Sequence, residues 1–253
     1  MNACVSPGAL PFGSNLSPGR HTSLIRAGRR ARLADRMDLQ PALIAPEQHA
    51  AAAKLLADAF FDDPGFVYCF PDERSRHAHL TWLYTRLLRV NERLGHTYTA
   101  TRDDADGALA WLSSWHPPGD EVGAVAMIRG GMLGVPLRMG ALAMKRLVES
   151  AAVMTLARRD VIGRRPYWYL DLFAVAPEMQ GKGIGRRLLA RQIQDLAQIA
   201  PRPYMLFTSK ESNVAFYRGN GFREARVDTI GGSGGYRLWS MVRDAVEIDG
   251  GRT

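Results

Sequence analysis

Apolar positions along the chain switch between a helical spacing and short continuous or alternating runs, and the switches mark out its elements. Residues 39–44 (LQPALI) predict a short first strand, and 46–61 (PEQHAAAAKLLADAFF) a helix with Pro46 near its start. DDPGF at 62–66 predicts a turn. From 72 to 94, Leu80, Leu83, Leu87, Leu88 and Leu94 fall at helical spacing behind Asp72, a candidate N-cap. Residues 96–101 and 108–115 predict two strands, and the turn sequence DDADG at 103–107 joins them as a hairpin. Residues 120–160 are helical in pattern, with interruptions at Gly130-Gly131 and Pro136. A strongly apolar strand follows at 167–175 (YWYLDLFAV). The helix predicted at 184–199 carries Ile184, Leu188, Leu189, Ile193 and Leu196 on one face. A strand at 204–208, a short helix at 212–219, and strands at 222–229 and 236–242 joined through GGSGG complete the chain. No internal repeat is visible. Alternation of strands and helices in the second half predicts an α/β sheet covered by helices.

Composition narrows the classes. The chain has 253 residues, 46% of them hydrophobic and 23% charged, as in an ordinary globular protein. Two cysteines, Cys4 and Cys69, exclude a disulfide scaffold and a multi-cysteine metal site. His77 and His79 stand two apart and face different sides of a helix, so no metal is expected. No apolar run is long enough to cross a membrane. A reducing, cytoplasmic setting is the expectation.

The formal charge is +8, which raises the question of a nucleic-acid or membrane partner. Its distribution weakens that idea. Residues 1–36 hold six arginines and one acid, and residues 129–165 hold eight cations and two acids. The first 36 residues read as a disordered basic leader, with a targeting segment, a misassigned start before Met37, or a nucleic-acid arm as alternatives. No nucleic-acid motif and no membrane anchor is recognisable.

The segment richest in chemistry is Val175-Ala176-Pro177-Glu178-Met179-Gln180-Gly181-Lys182-Gly183-Ile184-Gly185-Arg186-Arg187. A buried strand, a Gly-rich turn and an amphipathic helix follow one another. Glycines let successive backbone N–H groups approach a ligand, and the helix start adds partial positive charge. Arg186 and Arg187 meet an unfavourable dipole there unless an anion compensates them. The loop fits neither the Walker A pattern nor the dinucleotide fingerprint, where Arg186 stands at the third glycine.

Gln180-Gly181-Lys182-Gly183-Ile184-Gly185 resembles the Gln/Arg-x-x-Gly-x-Gly/Ala signature of the GNAT superfamily of acyl-CoA-dependent N-acetyltransferases. The stretch Asn213 to Phe222 is similar to that family's N-x-x-x-x-Y-x-x-x-G-F block. Ala59 to Pro64, then Phe70-Pro71-Asp72, and late Trp239-Ser240-Met241, resemble the puromycin-acetyltransferase-like branch. The resemblance covers roughly 38–243. It implies an α/β (α+β) GNAT fold, a mixed, mostly antiparallel sheet flanked by helices. The implied domain spans 37–243 with a helical insert at 120–160, followed by a tail at 244–253.

By the same resemblance, acetyl-CoA is the co-substrate. Its pyrophosphate would lie on the backbone of Gln180, Gly181, Lys182, Gly183, Ile184, Gly185 and Arg186. Its pantetheine arm would run beside Phe173, Ala174 and Val175, with Asn213 and Phe216 against it. Tyr217 matches the general acid that protonates the departing thiolate; without the motif it would read as a core aromatic. Asp171 is the lone acid of its strand. It matches a position from which the family draws its base, where burial would raise its pKa, and it is otherwise a structural carboxylate. Strict alternation puts it on one face with Tyr169, Phe173 and Val175, an order that a bulge would invert. His116 is an alternative base.

The expected reaction is acetyl transfer to the primary amine of a small molecule, by a monomer or homodimer. The alternatives are acetylation of a protein or peptide amine and a non-catalytic acyl-CoA sensor. Met127, Met132, Met139, Met144 and Met154, with Phe61, Phe66, Tyr68 and Phe70, are candidates to line an apolar acceptor pocket or simply to fill the core. Asp62 and Asp63 suit a cationic amine or, for Asp63 before Pro64, a turn or cap.

Overall fold

The computed structural model describes residues 40–102, 108–119 and 124–246. The leader, the turn at 103–107 and the end of the tail lie outside the described residues. One seven-stranded sheet is formed, in the order β1-β2-β3-β4-β5-β7-β6. Its strands are β1 Ala42–Leu43, β2 Thr97–Thr101, β3 Leu109–His116, β4 Trp168–Val175, β5 Tyr204–Thr208, β6 Arg223–Ile230 and β7 Tyr236–Arg243. Among the described strands only β4 and β5 pair in parallel. The helices are α1 His49–Ala59, α2 Pro64–Cys69, α3 Glu73–Glu92, α4 Ala124–Arg129, α5 Val135–Met139, α6 Ala141–Ile162, α7 Ile184–Ile199 and α8 Glu211–Arg218.

The helices clothe both faces. Asn91 of α3 and Arg158 of α6 reach β4 from one side. The opposite face of β4 meets the start of α7 at Gly185 and α8 at Phe216. Because β4 is covered twice, its apolar run is nearly unbroken, and Asp171 is its only residue not fully buried. The expected stripe of α7, Ile184, Leu188, Leu189, Ile193 and Leu196, is the stripe it buries. Asp72 caps α3, accepting from the Arg74 amide at 3.2 Å.

Two expectations change. DDPGF is not only a turn: Asp63 caps a helix that begins at Pro64, accepting from the Gly65 amide at 3.0 Å. Proline at the first helical position and an acid before it are start signals as much as turn signals. Pro136 likewise opens α5 rather than breaking a helix.

Candidate active site

Strands β4 and β5 pair through only three positions, Trp168 with Tyr204, Tyr169 with Met205 and Leu170 with Leu206. Beyond Leu170 no described strand pairs with that edge of β4. Its stretch from Asp171 to Val175 therefore borders a gap, with β5 and α8 on the far side. Phe173 and Phe216 face each other there, with ring centroids 5.7 Å apart.

At the end of β4 the chain makes a short 3-10 turn, Pro177–Met179, and enters the Gly-rich loop. Gly181 (φ +72°) and Gly183 (φ +75°) both take the left-handed conformation, and Gly183 is the N-cap of α7. Gly185 serves a different end. A Cβ there would sit 3.2 Å from Val175 Cγ2, so its absence lets α7 start close against β4. The first amides of α7 have no intrahelical acceptor, and no acid occupies its first turn. Lys182, Arg186 and Arg187 are exposed around that opening. The remaining loop residues are structural by their side chains. Gln180 Nε2 donates to the Val175 carbonyl at 3.0 Å, Ile184 is in the core, and an Arg186 Nη donates to the Gly219 carbonyl at 3.1 Å. Ala174 is buried within β4, opposite Leu112 of β3.

Helix α8 supplies the next groups. Asn213 is buried, and its Nδ2 donates to Thr208 Oγ1 at 3.3 Å. Tyr217 is fully buried between Phe216 and Phe222, and its hydroxyl has no hydrogen-bond partner among the described residues. Burial pushes this phenol well above its ordinary pKa, so it stays neutral at any physiological pH. A hydroxyl buried without a partner is costly in a finished core and useful facing a reacting group.

Asp171 is where β4 departs from strict alternation. Ser114 pairs with Leu172 and Trp115 with Leu170, so Asp171 is an extra residue, a bulge. Trp168 and Phe173, five apart, consequently face the same side: Trp168 donates to the Ala200 carbonyl after α7, and Phe173 lies under Gly185. Tyr169 and Asp171 face the other side. Grouping Asp171 with Phe173 and Val175 is therefore corrected by the bulge.

The expected rise in the Asp171 pKa is also corrected. Burial does raise it, but the His116 imidazole and the Asn91 amide outweigh burial and hold the carboxyl down, to about 2. Asn91 Nδ2 donates to Asp171 Oδ2 at 2.9 Å, and His116 Nε2 lies 3.6 Å from the same oxygen. Asn91 also donates to Ser114 Oγ at 3.0 Å, which fixes the amide.

These groups line a cavity of about 720 Å³ between β4, α3 and α6. Of the five methionines expected there, Met127 and Met154 line it, whereas Met132 and Met139 pack against the core. The expected aromatic lining does not materialise. Phe66 and Phe70 stack in the core, Tyr68 donates to Glu149 at 2.9 Å, and Phe61 borders an exposed cleft with Asp58 and His77. Asp63 is buried as a helix cap, with Ser209 Oγ 2.6 Å from both carboxylate oxygens, so it is no amine trap. Sequence reasoning missed Asn91 and Arg158. Asn91 was findable: it continues the apolar stripe Leu80, Leu83, Leu87 of α3, where a polar residue needs a reason. Arg158 likewise follows Met154 by one helical turn.

With this geometry in view, residues 142–224 match the acetyltransferase (GNAT) domain family. That match spans about a third of the chain, from α6 to the start of β6. Among its relatives is an uncharacterised N-acetyltransferase of Schizosaccharomyces pombe, 26% identical over 182 residues, 70% of this chain and 71% of that one. The fold is shared with arylalkylamine N-acetyltransferase 2 of Aedes aegypti at a TM-score of 0.56 and 10% identity, over 82% of this chain and 99% of the other. It is shared too with a Corynebacterium glutamicum structure described as histone acetyltransferase HPA2 and related acetyltransferase. The TM-score there is 0.55 at 16% identity, over 84% of this chain and 99% of the other. No described helix is long and apolar enough to cross a membrane.

Proposed function

We propose that the protein is an N-acetyltransferase that moves an acetyl group from acetyl-CoA to the primary amine of a small molecule. The observation that carries this reading is the buried, unpartnered hydroxyl of Tyr217 on the helix that borders the gap between β4 and β5. The cofactor fits the residues present. The left-handed glycines and the open amides of α7 suit a pyrophosphate, with Lys182, Arg186 and Arg187 around it. The open edge of β4 at Phe173 to Val175 suits an amide-bearing arm, as a strand would. Asn213 and Phe216 stand across from it.

The amine enters from the cavity side of β4. The base proposed is the Asp171–His116 pair, whose carboxylate and imidazole stand 3.6 Å apart on the cavity wall. His116 takes the proton and Asp171 stabilises the imidazolium. The neutral amine nitrogen then bonds to the thioester carbon, the carbon–sulfur bond breaks, Tyr217 gives its proton to the departing thiolate, and the proton that the nitrogen sheds on becoming an amide returns to the Tyr217 oxygen. The similarity of Ala59 to Pro64 and Phe70 to Asp72 to the puromycin-acetyltransferase-like branch agrees with a small-molecule acceptor. The working unit is residues 37–243, with the insert at 120–160 covering the acceptor side.

Amine-dependent release of free thiol from acetyl-CoA tests this. The expected result is release that rises with amine concentration and an acetylated product. Binding of CoA with no amine able to accelerate release would instead make the protein an acyl-CoA sensor.

A further inference from the structure

The acceptor cavity holds more positive charge than an amine pocket requires. Arg158 of α6 lines its wall, and Arg164 and Arg165 stand at its rim. A pocket shaped only for a cation would be expected to exclude arginine, because like charges repel at short range. Arg158 is also held in place. Its guanidinium lies 4.2 Å over the Tyr169 ring and 5.5 Å from that of Phe207. Such stacking fixes the plane of the fork, and a hydrogen bond with the Tyr169 hydroxyl takes up part of its edge. Its Nε is buried with no hydrogen-bond partner, and no carboxylate among the described residues stands at ion-pair distance. A desolvated guanidinium with an unmet donor is what a planar oxyanion satisfies.

The negative side of the cavity is small. It consists of Asp171, fixed by Asn91 and facing His116. Leu87, Met127 and Met154 add apolar lining to the same cavity. About 720 Å³ is ample for a molecule of amino-acid size with a large side chain.

We propose that the acceptor is a primary amine carrying its own carboxylate, an amino acid with a large apolar side chain. Arg158 takes the carboxylate, the Asp171–His116 pair takes the amino group, and the methionines take the side chain. Arg158 is then a specificity residue, and decarboxylated amines are the disfavoured analogues. This rests on the acetyl-transfer reading for the chemistry but not for the binding.

The test uses matched pairs, phenylalanine against phenethylamine and tryptophan against tryptamine. Calorimetric binding is measured to the CoA-loaded full chain, alongside turnover with acetyl-CoA. The amino acid of each pair is expected to bind at least ~10-fold more tightly and to show at least ~10-fold higher kcat/KM, as for a desolvated charge-assisted pair. In Arg158→Met, which keeps an unbranched stem against Tyr169, the ratio within each pair should fall toward one. Arg158→Lys should restore part of it. Equal or tighter binding of the decarboxylated partner, or a ratio untouched by Arg158→Met, overturns the proposal. If the amino acids bind with the expected ratio but are never acetylated, the acetyl-transfer reading fails and the oxyanion pocket stands.

Discussion

Asp171 and Tyr217 occupy opposite electrostatic situations, and each situation sets a measurable response. Tyr217 is neutral, buried and without a partner, so removing its hydroxyl leaves no orphaned group behind. Tyr217→Phe should fold as well as the parent and bind CoA equally, while kcat falls on the order of 100-fold, as for loss of a general acid. Stopped-flow thiol release with parallel calorimetry checks this. Asp171 has a depressed carboxyl, about 2 in the folded protein against roughly 3.9 in an unfolded chain. A depressed carboxylate lends stability above its unfolded value and loses it as pH falls through its folded value. The melting-temperature gap between parent and Asp171→Asn should be full above about pH 4 and shrink toward pH 2. A gap that is flat across that range would mean that Asp171 carries no paired charge. Both residues were visible in the sequence, Tyr217 through its motif and Asp171 as the acid in an apolar strand. The sign of the Asp171 shift was not, because Asn91 and His116 come from distant elements that no spacing connects to it.

The loop between β4 and α7 does its work through backbone conformation. Gly183 sits at φ +75°, a region that costs a branched residue about 1–2 kcal/mol and moves the amides around it. Gly183→Val should therefore raise the CoA dissociation constant roughly 10-fold in calorimetry and lower the melting temperature of the free protein by about 2–8 °C. The loop, the buried face of α7 and the cap of α3 were legible because each is a local pattern of a few residues. The bulge at Asp171 was not placed, since a bulge is defined by the partner strand, here Ser114 and Trp115 of β3. Helix α2 was hidden for a different reason. At six residues it is too short to show periodicity, and Asp63-Pro64 signals a turn and a helix start alike.

The whole molecule divides its charge between regions of different meaning. Residues 1–36 carry a large share of the surplus and lie outside the proposed domain. A chain beginning at Met37 should therefore keep the CoA affinity and the turnover of the full chain, measured at matched ionic strength. The surplus in residues 129–165 lies on α4, α5, α6 and the segment after α6, where Arg158, Arg164 and Arg165 meet the cavity beside β4. Composition alone could not separate these from a nucleic-acid surface, since charge counts say nothing of which groups share a cavity. The most direct measurement follows the acetyl group itself. Acetyl-CoA isotopically labelled in its acetyl carbons is incubated with the protein and an amine panel that includes apolar amino acids, and the products are analysed by mass spectrometry. The account predicts label bonded to the amine nitrogen, one free thiol for each labelled product, and both slowed together, on the order of 100-fold, in Tyr217→Phe. Label retained on CoA or released as acetate, with every amine unmodified, would contradict it.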